Sequence, residues 1–248
     1  MRLLPLLLIG CACRLVAAEG VILNRWDFED AKPFPNLSIE GEPPVVVADP
    51  RDPTNKVMKA VLPVNAKRPE RSEVRFGRIP EGSERWFGVR ILRPTLPQMD
   101  FTCCYQLGPI DGAKGRGRGG LYQIAAYGTQ NPEWKLRFYG RAEDDSGYRK
   151  DLGPVVAGAW EEWILHLRLK ADRNGLIEVW RNGRQVINQT GQNAAPGDGI
   201  PVKWGIYIGK GNVATMELTA FYDDVIIGDE NCTGQQILAE MRKGRRKP

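Results

Sequence analysis

A lysine and a tyrosine stand four residues apart in Pro201-Val202-Lys203-Trp204-Gly205-Ile206-Tyr207. Alternation along a strand sends every second side chain to one face, so Lys203, Gly205 and Tyr207 line a common surface with no side chain between the ammonium and the phenol. Such a pair can do acid/base chemistry on an anionic ligand, the ammonium neutralising charge while the phenol moves a proton. The same spacing also suits a solvated lysine beside a half-buried tyrosine, because perturbed functional pairs are a minority of such neighbours. Upstream, Glu70-Arg71-Ser72-Glu73-Val74-Arg75 puts Arg71, Glu73 and Arg75 on one strand face. They read either as a binding set for carboxylates or as a solvated ion-pair array worth well under ~1 kcal/mol.

The elements that must position these residues are strands. The hydrophobic period is two almost throughout, over Leu23–Phe28, Val45–Ala48, Lys56–Val61, Ser72–Arg75, Arg85–Ile91 and Phe101–Leu107 in the first half. The second half adds Gly120–Ala126, Lys135–Tyr139, Glu162–Lys170, Gly175–Arg181, Arg184–Gln189, Val202–Ile208 and Ala214–Ile227. Arg173-Asn174-Gly175 and Arg181-Asn182-Gly183 carry hairpin chemistry. Gly234–Lys243 alone reads as a helix, with Thr233 as its cap. Many short strands with polar turns predict an all-β fold, an antiparallel β-sandwich or jelly roll with a short C-terminal helix.

Residues 1–18 read as a signal peptide: Arg2 precedes the apolar run Leu3–Ile9, and Val16-Ala17-Ala18 offers small residues before Glu19. The expectation is one domain over 19–248, secreted or periplasmic, with lipid anchoring at Cys11 as the lesser alternative. No later stretch approaches the ~20 apolar residues of a membrane span. Without Arg2 and Arg14, 33 basic residues face 30 acidic ones. That near-balance gives no reason to expect nucleic acid as a partner, and part of the excess sits in the basic tail Arg242–Lys247. Three cysteines would remain, Cys103, Cys104 and Cys232. Neighbours on a strand face apart, so at most one disulfide, to Cys232, is expected. A single histidine and no Cys-x-x-Cys argue against zinc. Asp223 and Asp224 suggest a structural calcium, but such a site needs six to eight oxygens, so no cofactor is expected.

Gly115-Arg116-Gly117-Arg118-Gly119-Gly120 has dinucleotide-like spacing, but a strand follows it where that fingerprint needs a helix, which leaves a basic loop. The adjacent acids Glu161-Glu162 and Asp223-Asp224 point to opposite strand faces. Neither supplies the paired carboxylates of ordinary glycoside hydrolysis. Trp204, Trp134, Tyr122 and Tyr127 are candidates to stack on sugars, with burial the commoner fate of such residues. Trp163 and Trp180 are assigned to the core. His166, inside Ile164–Leu169, is expected to be structural or on an outer face.

Several patterns in series carry a resemblance: Trp160–Leu169, Asn174–Gly183, Lys203–Tyr207 and Phe221-Tyr222-Asp223-Asp224-Val225-Ile226-Ile227-Gly228, preceded by Glu70–Arg75, Trp86-Phe87-Gly88-Val89 and Tyr105-Gln106. Together, from about Val21 to Gly228, they resemble the polysaccharide lyase family that contains heparin lyase I, and they are similar to glucuronan lyase. The resemblance implies a concanavalin-like β-jelly roll with a substrate groove. It implies β-elimination at a uronic acid residue of an acidic polysaccharide, with no metal required. Lys203 and Tyr207 match the family's lysine and catalytic tyrosine, and Gln106 resembles its glutamine beside the cleft. Arg71 would meet the substrate carboxylate, with Glu73 orienting it or binding a sugar hydroxyl and Arg75 on the same face.

The match departs at one point: some members carry a catalytic histidine after the glutamine, where this chain has Leu107-Gly108-Pro109. Tyr207 would then serve as both base and acid, provided that cations bring its pKa down from the ordinary value of about 10. The alternative is a non-catalytic jelly roll that binds an acidic glycan. The expected partner in either case is a uronate-containing polysaccharide, met by a monomer.

Overall fold

The computed structural model describes residues 19–65, 70–107, 121–139, 148–194 and 199–243. The expected signal segment 1–18, its Cys11, the loop 115–120 and the tail beyond Lys243 lie outside the described residues. In chain order the strands are β1 (Ile22–Trp26), β2 (Ser38–Gly41), β3 (Val45–Ala48), β4 (Lys56–Leu62), β5 (Arg71–Pro80), β6 (Glu84–Leu92), β7 (Phe101–Leu107) and β8 (Leu121–Tyr127). They continue as β9 (Glu133–Tyr139), β10 (Tyr148–Pro154), β11 (Trp160–Arg168), β12 (Leu176–Arg181), β13 (Arg184–Thr190), β14 (Gly199–Tyr207) and β15 (Leu218–Gly228), and helix α1 covers Gly234–Met241.

These strands form the antiparallel sandwich that the period of two implies. One sheet runs β13-β12-β11-β6-β15-β4-β3, with β1 also paired to β15; the other runs β10-β9-β8-β7-β14-β5-β2. Strand β14 shows why the sheets pack face to face. Its Val202, Trp204 and Ile206 are fully buried and join the inter-sheet core, and each such side chain contributes roughly 1.5–3 kcal/mol relative to exposure. Lys203, Gly205 and Tyr207 alternate with them and take the other face. Beneath this strand Trp204 meets Trp26 at 5.1 Å between rings. From the opposite sheet, the fully buried Tyr222 donates its hydroxyl to the Gly205 carbonyl at 2.7 Å. That bond fixes β14 midway between its lysine and its tyrosine.

Turn and cap chemistry act as expected. Asn182 and Gly183 both take positive φ, 50° and 78°, and close the tight β12–β13 hairpin. Thr233 caps α1, its side chain accepting from Gln236 N at 3.1 Å. The helix ends at Met241. It lands on the outer face of the first sheet at Gly88, where a Cβ would stand 2.8 Å from both Ile237 and Met241.

Two expectations need amendment, one about strands and one about a tryptophan. Strands β2 and β10 were not expected; each is an outermost strand with a polar or turn-forming sequence, Ser38-Ile39-Glu40-Gly41 and Tyr148–Pro154, held by one neighbour only. Trp180 is not core: it is partly buried on the outer face, stacked on Trp86 at 5.5 Å within the cluster under α1. Trp204, Trp134 and Tyr122 meet the commoner fate named for them and are buried, unavailable to sugars, while Tyr127 is half-buried. Cys103, Cys104 and Cys232 are all free thiols, within the expected limit of one disulfide. No described helix is long and apolar enough to cross a membrane.

Candidate active site

Strand β14 lies between β5 and β7, and register alone brings the expected residues together. Across β5, Lys203 pairs with Arg75, Gly205 with Glu73 and Tyr207 with Arg71. Across β7, Lys203 pairs with Gln106, which in turn pairs with Gln123 of β8. Register therefore gathers all six candidate residues at one place on the second sheet, five of them in a patch on its outer face and Glu73 beneath it. A close approach at Gly205 permits it. With φ at +136°, a Cβ there would lie 2.2 Å from the Ser72 carbonyl oxygen and 2.6 Å from the Glu73 Cα, so no side chain fits between Lys203 and Tyr207.

The Arg71 guanidinium lies over the Tyr207 ring, 4.5 Å from its centroid, and Phe101 meets that ring edge-on at 6.3 Å. Tyr207 is half-buried between them. Desolvation alone would lower the Arg71 pKa, but the charges of Glu73 and Glu40 outweigh it and hold the guanidinium firmly protonated.

Glu73 is 1% exposed, beneath the patch rather than on it. Its Oε1 accepts from Gln106 Nε2 at 2.5 Å, and its Oε2 lies 3.5 Å from Arg71 Nη1 without a hydrogen bond. Burial pushes its pKa up to about 7, against the pull of Lys203, Arg71 and Gln106. Gln106, itself 7% exposed, also accepts from Gln123 Nε2 at 3.1 Å. The amide expected beside the cleft is thus turned into a buried chain, Gln123 to Gln106 to Glu73.

The residue that sequence reasoning missed is Glu40 of β2. Its Oε2 accepts from Lys203 Nζ at 2.8 Å and from Arg71 Nη1 at 2.9 Å, and its Oε1 lies 3.5 Å from Arg75 Nη1. Burial tends to raise its pKa, but the bonds to Lys203 and Arg71 prevail and hold it below the usual carboxylate value. Glu40 and Glu73 are register partners, so folding does bring two carboxylates side by side. Because Glu73 is buried, they do not flank open space as a hydrolytic pair would.

Other candidates stand elsewhere. His166, the only histidine, belongs to β11 of the opposite sheet, held by Glu178 and Glu84 at 2.8 Å each and stacked on Trp86 at 4.0 Å. Glu161 is buried against Trp134 and Arg181, and Glu162 faces Arg242. Asp223 accepts from Asn55 and Arg90, and Asp224 pairs with Arg25. Among the described residues no group of three or more His, Cys, Asp or Glu could hold a metal. A cavity of about 480 Å³ beside Asp49, Arg90 and Trp160 contains none of the six residues.

Comparison with known proteins agrees with this architecture. No curated protein matches the sequence. The structure of an endo-β-1,4-glucuronan lyase from the fungus Trichoderma reesei superposes with a TM-score of 0.63 at 18% identity, covering 84% of this chain and 96% of that one. A double mutant of alginate lyase Aly36B in complex with an alginate trisaccharide gives 0.60 at 13%, covering 85% and 98%. Alginate lyase vAL-1 from Chlorella virus gives 0.59 at 11%, covering 78% and 92%. At these identities the likeness is one of fold. A family model described as polysaccharide lyase, however, matches residues 31–226, most of the chain. This chain belongs to the polysaccharide lyase family.

Proposed function

We propose that the protein cleaves a 4-linked uronate polymer by β-elimination, with Tyr207 taking the C5 proton and returning it to O4. The observation that carries this reading is the convergence of Lys203, Arg71 and Arg75 beside a half-buried tyrosine on one sheet face. A C5 proton next to a carboxylate becomes removable only when the carboxylate charge, and the charge that develops on proton loss, are neutralised. Lys203, Arg71 and Arg75 supply that neutralisation. Tyr207 as phenolate removes the proton, and the Arg71 cation over its ring stabilises that phenolate. The C5–H bond breaks, the C4–C5 double bond forms, and the C4–O4 bond breaks. O4 leaves with the proton from the Tyr207 phenol. The step balances with no co-reactant.

Tyrosine does both jobs because the only histidine is in the other sheet. A single group reaches its two reacting atoms from one side of the ring. In glucuronate and mannuronate H5 and O4 share a face, whereas in guluronate and iduronate they lie on opposite faces. The substrate class is therefore a D-glucuronate or D-mannuronate polymer, compatible with the glucuronan and alginate lyases that share the fold.

The test is a panel of polyglucuronate, polymannuronate, polyguluronate and heparin, followed by the ultraviolet absorbance of the unsaturated uronate end. Product from the first two supports the reading. Silence on every uronate polymer sinks it, and cleavage of polyguluronate alone would overturn the single-tyrosine stereochemistry.

A further inference from the structure

Glu40 is a carboxylate placed where the proposed chemistry needs a carboxylate. Strand β2 pairs only with β5, and β5 separates it from β14. The Glu40 to Lys203 bond of 2.8 Å therefore spans β5, although adjacent strands lie about 4.8 Å apart. Two features let it reach across the face. Glu40 stands in register with Glu73, whose side chain is buried below, and next along the same row comes Gly205, which has no side chain. Gly41 sets the approach from the other end: its φ is +85°, and a Cβ there would lie 2.1 Å from the Arg71 carbonyl oxygen. Glu42 N donates to that same carbonyl at 2.9 Å. The backbone of β2 is pinned against β5, while the Glu40 side chain, 22% exposed, borders solvent.

We propose that Glu40 is a resident carboxylate filling the subsite for the uronate carboxylate, so that substrate binds by displacing it from Lys203, Arg71 and Arg75. This rests on the uronate reading above and names how that site is held before substrate arrives. The exchange is like for like. The incoming carboxylate takes over the hydrogen bonds that Glu40 releases, and Glu40 rotates about its own side-chain torsions into water while β2 stays in place. Until then it keeps three like charges together and preorganised. It also sets a threshold, because a neutral polysaccharide cannot replace the bonds that Glu40 makes, so the patch stays closed to it.

Binding of a glucuronate tetrasaccharide separates this from a purely structural role. Tyr207→Phe provides a form expected to turn over too slowly to disturb binding, and titration calorimetry compares it with Tyr207→Phe/Glu40→Gln at several salt concentrations. Removal of the competitor is expected to tighten binding by about tenfold. It should also steepen the salt dependence, because the patch gains one net positive charge. If Glu40→Gln loosens the fold, the thermal upshift produced by the tetrasaccharide is the second readout, and it must be larger in the double variant than in Tyr207→Phe. Unchanged or weaker binding, while the parent chain still cleaves uronate polymer, overturns the Glu40 assignment and leaves the lyase reading intact. Tighter binding in a chain that cleaves nothing supports the assignment and removes the lyase reading. No binding by either variant overturns both.

Discussion

Arg71 and Tyr207 face each other across β5 and β14 as register partners, with the guanidinium 4.5 Å above the centre of the phenol ring. A cation over a ring favours negative charge in that ring. If Tyr207 works as phenolate, Arg71 affects the chemical step as well as binding.

Arg71→Ala is accordingly expected to lower kcat by about 10²-fold or more on polyglucuronate, in the range found when one stabilising donor is removed. Arg71→Lys should recover only part of that loss, because an ammonium lacks the planar face that stacks on the ring. A rise in KM with unchanged kcat would show that Arg71 only binds.

Glu73 gives a pH dependence of stability. Its folded pKa of about 7 lies above the ordinary carboxylate value of 4.5. Between those values the folded protein keeps a proton that the unfolded chain has released. Stability therefore falls as pH rises from about 4.5 to about 7 and then levels off, by about 3 kcal/mol in all. Urea denaturation at stepped pH should show this slope in the parent chain, and Glu73→Gln should flatten it. A parent chain that gains stability over the same window would contradict the burial argument.

The floor of the site is a packing prediction. Gly205→Ala forces a Cβ into the Ser72 carbonyl and into a backbone φ of +136°. It should cost more than about 2 kcal/mol in thermal or urea unfolding. Tyr222→Phe leaves the buried Gly205 carbonyl without its donor and should cost about 1–3 kcal/mol. Wild-type stability in both would mean that β14 is not held as described.

The patch was legible in the sequence where alternation alone decides it. Trp204 and Ile206 are apolar and Lys203 and Tyr207 polar, so the faces of β14 follow from the period of two, and Arg71, Glu73 and Arg75 sort the same way on β5. What alternation cannot supply is the neighbour. Glu40 was missed because β2 has four residues, no apolar period and a single partner, and its role depends on a residue 163 positions away. The depth of Glu73 depends on cover from other strands, and its own strand would have left it as exposed as Arg75. His166, expected to be structural or on an outer face, stacks on Trp86 outside the main core, but only sheet order puts it opposite the patch. Trp180 was misread because α1 covers part of an outer face, giving tryptophan an apolar site outside the main core.

The central claim is that Tyr207 moves the proton. Its most direct test is the initial rate of ultraviolet absorbance growth on polyglucuronate for Tyr207→Phe, with tetrasaccharide binding measured on the same preparation. The account predicts binding retained within a few-fold and a rate reduced by at least about 10³-fold, since one hydroxyl is asked to supply both base and acid. A Tyr207→Phe chain that still forms unsaturated product at a rate near that of the parent would contradict it.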